Sequence, residues 1–244
     1  MSGRDLPISP GMSVNDLVLV QGMKDTRLAL TRWRDQRWAI LGSWLLLSLA
    51  IAVSLLLAVY GVAKLSSPDP TPLYIPGYNV PATLGDYAAV LYRNSLVLAL
   101  HAMACVAGFM AGSSIPLAAS SRSGLDRWVH EKAGPLAIAF VIGATFFSLG
   151  TQAYAIGSQA SSVAYQVGVT PGLLIVTLLP HAIPELVALF LPLAAWLIAS
   201  RREEWDQLLA ATFVTVAVAV PILLVSAAVE LLVSPELLPE LAQR

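Results

Sequence analysis

The side chains in this sequence that are best suited to proton transfer or ion binding are His181 and Glu185, which lie four residues apart in an otherwise apolar stretch. No Asp, Glu, Lys or Arg occurs between Lys132 and Glu185. Ionisable residues at membrane depth are costly, and they usually face a protein interior, a cavity or one another. On a continuous helix the two side chains would share a face. The pair therefore indicates either a site for a proton, an ion or a partner, or a hydrogen bond that orients two helices.

Two prolines, Pro180 and Pro184, frame the histidine, and Pro192 follows later in the same run. Each proline lacks an amide donor and crowds the carbonyl four residues before it. The helix that carries the pair is therefore expected to be kinked, or broken at Pro180–Pro184 into two half-helices. Broken helices that place polar groups near the membrane midplane are a feature of transporters.

Other polar side chains are expected at a similar depth. The predicted cluster in the outer half of the membrane has five members, which are His181, Glu185, Asn94, His101 and Glu230. Gln152 is a further candidate neighbour. Intramembrane polar groups pair with one another, so we expect these side chains to meet.

The motifs of familiar membrane enzymes are missing from the sequence. Intramembrane zinc proteases need His-Glu-x-x-His on one helix, whereas the three histidines here stand apart at positions 101, 130 and 181. His101, His181 and Glu185 are enough ligands for a zinc site, but their spacing does not require one. Neither a Gly-x-Ser-x-Gly motif nor a P-loop occurs. We expect no catalytic residue, no metal and no cofactor.

The elements that must position these side chains are membrane-spanning helices. Of the 244 residues, 57% are hydrophobic and 12% are charged, whereas a soluble domain carries roughly 25% charge. Five apolar runs reach the roughly 20 residues that a spanning helix needs, and they cover 39–63, 95–119, 133–157, 173–199 and 208–233. Lipid offers no partner for a free amide, so each run must be helical. The sequence predicts an all-α, polytopic membrane helix bundle, and its net charge of −1 indicates no nucleic-acid partner.

The basic residues predict the orientation of the bundle. Eleven of the 14 Lys and Arg residues lie before residue 38, in the connection after the second run or in the connection after the fourth. Positive charge is enriched in cytoplasmic loops. This rule places the N-terminus in the cytoplasm and the C-terminus outside.

The chain divides into an N-terminal arm, residues 1–38, and a membrane domain, residues 39–244. The arm mixes apolar and basic residues, as a helix at the cytoplasmic interface does, although a solvated basic flank that only sets topology is an alternative. Trp33, Trp38 and Trp44 suit the membrane entry. The outer loop, residues 64–94, contains five prolines and four tyrosines, which favours an extended start. Its tyrosines either anchor at the headgroups or bind a protein.

Two sets of glycines predict close helix packing. Gly108 and Gly112 form a GxxxG motif, which lets helix backbones approach closely. Gly143, Gly150 and Gly157 recur every seven residues and so line one stripe of a helix. The packing lies either within the bundle or between the copies of a homo-oligomer.

The segment around the central pair resembles a known family. The stretch from Leu178 to Ala188 reads Leu-Leu-Pro-His-Ala-Ile-Pro-Glu-Leu-Val-Ala and is similar to the hallmark Pro-His-Gly-x-x-Glu-Leu segment of the stage II sporulation protein M family. The likeness extends to Asn94 with the helix that contains Gly108, and to Glu230 with the Ser-Pro that follows it. It covers about residues 90–236. The glycine that usually follows the histidine is alanine here.

The resemblance implies a bacterial or archaeal plasma-membrane protein with five or six spans. The family's namesake is a membrane scaffold that localises cell-wall-degrading partners at the division septum. Asn94, His181, Glu185 and Glu230 match family-signature positions, whose chemical role the resemblance does not specify. The expected function is a non-enzymatic scaffold or assembly subunit in contact with lipids and envelope proteins, with any ATPase on a separate subunit. The alternative is a transporter or channel subunit that uses the embedded His/Glu site.

Overall fold

The computed structural model of this chain describes residues 18–114 and 124–242. Within these ranges the protein is all-α, with a single isolated β-bridge between Pro76 and Val80. Seven α-helices follow one another: α1 (Val18–Arg32), α2 (Arg37–Leu65), α3 (Leu84–Phe109), α4 (Gly124–Gln166), α5 (Pro171–Arg202), α6 (Leu208–Leu232) and α7 (Ser234–Ala242). A π-helical turn, Met110–Ser114, continues α3, and a 3₁₀ turn, Trp205–Gln207, precedes α6.

Helices α2 to α6 are the five described helices that are long and apolar enough to cross a membrane. The predicted all-α, five-span bundle is therefore confirmed.

The boundaries differ most at α3, which begins at Leu84, so the irregular part of the outer loop covers 66–83 only. Thr83 and Asp86 start this helix with a capping box, in which Thr83 Oγ1 accepts from the Asp86 amide at 3.2 Å and Asp86 Oδ2 accepts from the Thr83 amide at 2.9 Å. Residues 1–17 of the arm and 115–119 of the predicted second span lie outside the described residues.

The last helix, α7, is not part of any predicted span. It begins at Ser234, directly after α6, and contains Glu236 and Pro239. Such residues end an apolar run, so the hydrophobic pattern alone gives no signal for a further helix. The tertiary contacts of Ser234, described below, hold this helix on the bundle.

The centre of the bundle is α5, which makes its most extensive contacts with α6, α2 and α3. Every residue from Ala188 to Trp196 is buried, as expected for a helix that is apolar all round. The helix runs without interruption through Pro180, Pro184 and Pro192. Of the two expected alternatives, the division into half-helices is therefore excluded.

Helix α1 packs at one end of the bundle, beside the connection between α5 and α6. Trp33 Nε1 donates to Gln207 Oε1 at 2.8 Å, and an Arg32 guanidinium nitrogen lies 3.8 Å from an Asp206 carboxylate oxygen. The rings of Trp33 and Trp44 meet edge to face, with centroids 5.4 Å apart. We call this end of the bundle the basic end. It includes α1, the last turns of α3 and the start of α6. We call the opposite end, where residues 66–83 lie, the loop end. The described part of the arm is thus a docked helix.

At the loop end, residues 66–83 are fastened to α4. Gln166 of α4 accepts from the Leu73 amide at 2.8 Å and donates to the Thr71 carbonyl at 2.6 Å. The Thr71 amide donates to an Asp69 carboxylate oxygen at 2.9 Å, which holds the pKa of that carboxyl below its usual value. The loop is therefore a folded surface, and Tyr74 on it is 84% exposed.

Candidate functional site

One stripe of α3 faces α5. His101 Nδ1 lies 3.0 Å from the Leu189 carbonyl oxygen, and the Cys105 thiol donates to the Pro192 carbonyl at 3.2 Å. One turn further on, Gly108 lies against the Trp196 indole. The three α3 positions have the spacing of one helix face, and their partners advance along α5 in the same order. The two helices therefore run side by side in the same direction.

Side chains of α2 and α3 bond backbone carbonyls of α5 near Pro192. Ser48 of α2 donates to the Val187 carbonyl at 2.6 Å, and His101 and Cys105 of α3 bond the carbonyls of Leu189 and Pro192. Hydrogen bonds between membrane helices hold them together. Because a carbonyl oxygen only accepts, the His101 ring carries its hydrogen on Nδ1.

The hydrogen bond of Ser48 gives a direct test of this arrangement. Ser48→Ala is expected to lower the free energy of unfolding by about 0.5–1.5 kcal/mol, because Ser48 is fully buried between α2 and α5. Ser54→Ala is the matched control, since Ser54 is exposed and bonds the Ala50 carbonyl of its own helix. Denaturant titration in detergent micelles, followed by tryptophan fluorescence, measures both variants. Equal stabilities would contradict the role of Ser48.

Glu185 lies where α5, α3 and α6 meet at the loop end. Glu230 of α6 and Arg93 of α3 act on its carboxylate by their charge, and Asn94 of α3 acts on it as a hydrogen-bonding neighbour. Asn94 is 9% exposed, and Glu185 is partly buried. Within the described residues, Asn94 Nδ2 and Glu185 Oε2 are buried, and neither makes a hydrogen bond of good geometry. Glu185 thus lies within interaction range of a second carboxyl group, an amide and an arginine, and such a group can hold a proton or accept a donor from a partner.

His181 points to a different neighbour. Its Nδ1 lies 2.6 Å from Ser234 Oγ, and Ser234 Oγ in turn donates to the Val229 carbonyl at 3.3 Å. Both residues are buried. The 2.6 Å bond between His181 and Ser234 is the shorter of the two, and the tautomer of the ring decides which residue donates in it. The histidine therefore ties α5 to the start of α7.

His101 also lies apart from the Glu185 group. It is 0% exposed, its ring meets that of Phe190 edge to face with centroids 5.3 Å apart, and its Nε2 has no hydrogen-bond partner among the described residues. Gln152 bonds Ser148 of its own helix at 2.9 Å. Of the five residues of the predicted cluster, the structure brings together Asn94, Glu185 and Glu230.

No group of three or more His, Cys, Asp or Glu side chains in the described part of the chain is placed to hold a metal ion. The two described histidines do not meet, because His101 bonds the Leu189 carbonyl and His181 bonds Ser234. The candidate site is therefore a carboxyl–amide group at the loop end, next to a histidine–serine link.

The two sets of glycines lie in different surroundings. A Cβ at Gly108 would meet Leu208 Cδ1 and Trp196 Nε1, each at 2.7 Å, and a Cβ at Gly112 would overlap the Trp205 ring. The GxxxG motif therefore serves packing within the chain. A Cβ at Gly143 or Gly150 would meet nothing within 4 Å among the described residues. Of the two predicted alternatives, packing within the bundle is therefore not seen at these two positions among the described residues, and packing between copies of the chain stays a prediction.

Gly157 keeps the packing that its stripe predicts. A Cβ there would meet Val62 Cβ at 2.6 Å and the Val59 carbonyl oxygen at 2.8 Å. The loop-end half of α4 is thus held closely against α2. Only this half of the glycine stripe contacts the bundle, within the described residues.

Comparison with known proteins supplies no identity. No family model, curated protein or solved structure matches this chain.

Four residues of the site are not predicted from the sequence: Ser48, Arg93, Cys105 and Ser234. Cys105 lies one turn after His101, so their shared helix face is a usable signal. Arg93 precedes Asn94 at the membrane boundary, where a basic residue is ordinary. Ser48 stands in a uniformly apolar run, and its role depends on how α2 is rotated against α5.

Proposed function

We propose that this protein is a non-catalytic scaffold or assembly subunit of a membrane complex in a prokaryotic plasma membrane, of the kind that the stage II sporulation protein M family represents. The observation that carries the proposal is the folded loop 66–83. Short connections in helical bundles need only a few residues, whereas this loop is tied to α4 by Gln166 and presents Tyr74 to the outside. Exposed tyrosines on a rigid support are favourable contact residues for a protein partner.

A second attachment supports the same conclusion. Gly77 has a φ of +82°, and a Cβ there would collide with the Leu231 carbonyl and with Pro235. The loop therefore closes on the junction of α6 and α7 as well as on α4. A surface held from two sides loses little conformational entropy when a partner binds.

The polar groups inside the bundle favour a scaffold over a conduit. Four polar side chains in the described part of the bundle make hydrogen bonds to another helix of the same chain. They are Ser48, His101, Cys105 and His181. A transport path needs polar groups that face a cavity. Side chains that are engaged in helix contacts instead fix the relative positions of the helices.

Each part of the protein surface indicates what it contacts in the proposed function. The basic end faces the cytoplasm by the charge rule, the apolar outer faces contact membrane lipids, and the loop faces envelope proteins. The open stripe at Gly143 and Gly150 suits a second copy of the chain. Any work that needs ATP is done by a separate ATPase subunit, and nucleic acid is not a partner.

The loop surface is tested by photo-crosslinking in native membranes. A crosslinking amino acid at position 74 is expected to give one discrete protein adduct, and the same residue at position 213 is the control, because Phe213 is 67% exposed but lies on membrane helix α6. Tyr74→Ser is expected to reduce co-purification of the identified partner about fivefold or more, whereas Phe213→Ser leaves it unchanged. Only lipid adducts at position 74 would contradict the proposal.

The alternative function, a transporter or channel subunit, is favoured by one observation, that Glu185 Oε2 and Asn94 Nδ2 make no hydrogen bond of good geometry among the described residues. Glu185→Gln is expected to leave the protein folded and to raise its free energy of unfolding by roughly 1 kcal/mol, because it removes the charge of one of two neighbouring, partly buried carboxylates. Proteoliposomes of the wild type are expected to show no ion flux above that of empty liposomes. Flux in the wild type that Glu185→Gln abolishes would overturn the scaffold proposal.

A further inference from the structure

A groove at the basic end lies between α1 and the ends of two membrane helices. Its volume is about 1070 Å³, near the upper end of the range for ligand pockets, roughly 300–1,000 Å³. One wall is formed by α1 and the other by the last turns of α3 with the start of α6. Gly22 allows the close approach, because a Cβ there would meet Leu209 Cδ1 at 2.7 Å.

The two walls of the groove have different chemistry. The membrane-helix wall is apolar, with Val106, Phe109, Met110 and Leu209. The other wall contributes the basic side chains of Lys24 and Arg27 on α1 and of Arg34 in the turn after it, and no carboxylate is among the described residues that line the groove. The two hydroxyls of this wall, on Thr26 and Thr31, bond carbonyls of α1 itself. Among the described lining residues, the charge offered to a ligand is therefore positive.

The groove also lies at the depth of the lipid headgroups. Only residues 33–36 separate α1 from α2, a membrane helix, so α1 must remain near the membrane surface. The apolar side chains of Met23, Leu30 and Met110 are 75%, 39% and 48% exposed beside the cations. Exposed apolar residues next to arginines on one helix are typical of interfacial helices. A water-soluble anion would leave this apolar wall uncovered.

We propose that the groove binds one anionic phospholipid. Its phosphate lies against Arg27 of α1 and Arg34 of the turn that follows α1, which both line the groove. An acyl chain covers Val106 and Met110 along α3. The two arginines, with no acidic residue among the described residues that line the groove, select an acidic headgroup over a zwitterionic one.

The test uses the full-length protein, purified and stripped of lipid. Phosphatidylglycerol and phosphatidylcholine with the same long acyl chains are titrated separately, and bound lipid is counted by native mass spectrometry. The Arg27→Gln/Arg34→Gln double variant is expected to bind phosphatidylglycerol about tenfold more weakly or worse, since each basic residue near an acidic surface contributes appreciably. Arg27→Lys/Arg34→Lys is expected to retain binding within about threefold. Arg201→Gln/Arg202→Gln is the matched control, because both arginines are exposed at the same end but outside the groove.

Three further arms separate the sources of a signal. Leu30→Gln is expected to weaken binding of the long-chain lipid, and inorganic phosphate is expected not to compete at equal concentration. Deletion of residues 2–16 is expected to leave lipid retention unchanged. Equal losses of lipid affinity in the Arg27/Arg34 and Arg201/Arg202 variants would overturn the proposal, as would full competition from inorganic phosphate. A large rise in lipid retention after the deletion would also overturn it, because the chain's own N-terminal segment would then fill the groove.

Discussion

Gly108→Ala is expected to lower the free energy of unfolding by about 1–3 kcal/mol. The added methyl would lie 2.7 Å from both Trp196 Nε1 and Leu208 Cδ1. Trp196 is 3% exposed and Leu208 is 0% exposed, so neither side chain has free space to move into. Because interiors are closely packed, the strain must move α3 away from α5 or α6.

Gly143→Ala is the matched control for this prediction. It makes the same chemical change in a membrane helix, but a Cβ there would meet nothing within 4 Å among the described residues. Alanine is the better helix former by roughly 0.8–1 kcal/mol in water, so this variant is expected to be as stable as the wild type or more stable. Unfolding by denaturant in micelles measures both proteins. A Gly108→Ala variant as stable as Gly143→Ala would show that α3 does not pack on Trp196 as described.

His181→Leu is expected to release α7 from the bundle. The substitution keeps most of the side-chain volume but removes the hydrogen bond to Ser234 Oγ, which is 2.6 Å long and joins two buried residues. Loss of a buried hydrogen bond costs about 1–3 kcal/mol. Hydrogen–deuterium exchange of the α7 amides should therefore become about tenfold faster, while the amides of α5 stay protected.

Two variants make the second prediction specific. Ser234→Ala should produce a similar change in α7, and the double variant should add little to either single change, because both remove the same bond. Gln152→Leu also replaces a partly buried polar side chain by leucine, but Gln152 bonds only within α4, to Ser148, so α7 exchange should stay at the wild-type rate. Unchanged exchange in His181→Leu would contradict the link between α5 and α7.

The helices themselves were predictable because lipid imposes a strong rule on the backbone. The backbone amides of any long apolar run must form hydrogen bonds within the run. The runs that begin at Ala39 and Leu173 are therefore helical, independent of the helices that pack against them. The start of α3 was also readable in principle, since Thr83 and Asp86 have the spacing of a capping box. A span estimate from hydropathy misses it because capping residues are polar.

The partners of the polar side chains were not predictable, because the sequence does not specify how each helix is rotated about its axis. His181 and Glu185 share one helix, yet the first meets Ser234 and the second faces the group of Asn94 and Glu230. A bond to a backbone carbonyl, such as that from His101 to Leu189, leaves no pattern in the residue types. Recurring glycines are equally ambiguous, since open and crowded positions look the same in a sequence.

The parallel arrangement of α3 and α5 has a consequence for how the protein is made. The bond from His101 to Leu189 joins residues 88 apart, and that from Cys105 to Pro192 joins residues 87 apart, with the whole of α4 between them. A chain leaves the ribosome N-terminus first, so α2, α3 and α4 enter the bilayer before the helix that all three contact. During that interval Ser48 and His101 have no carbonyl of α5 to bond. Insertion of α5 therefore supplies these carbonyls, and α6, which follows it and packs most extensively on it, completes the core. Arrest of synthesis before α5 leaves helices with open polar faces.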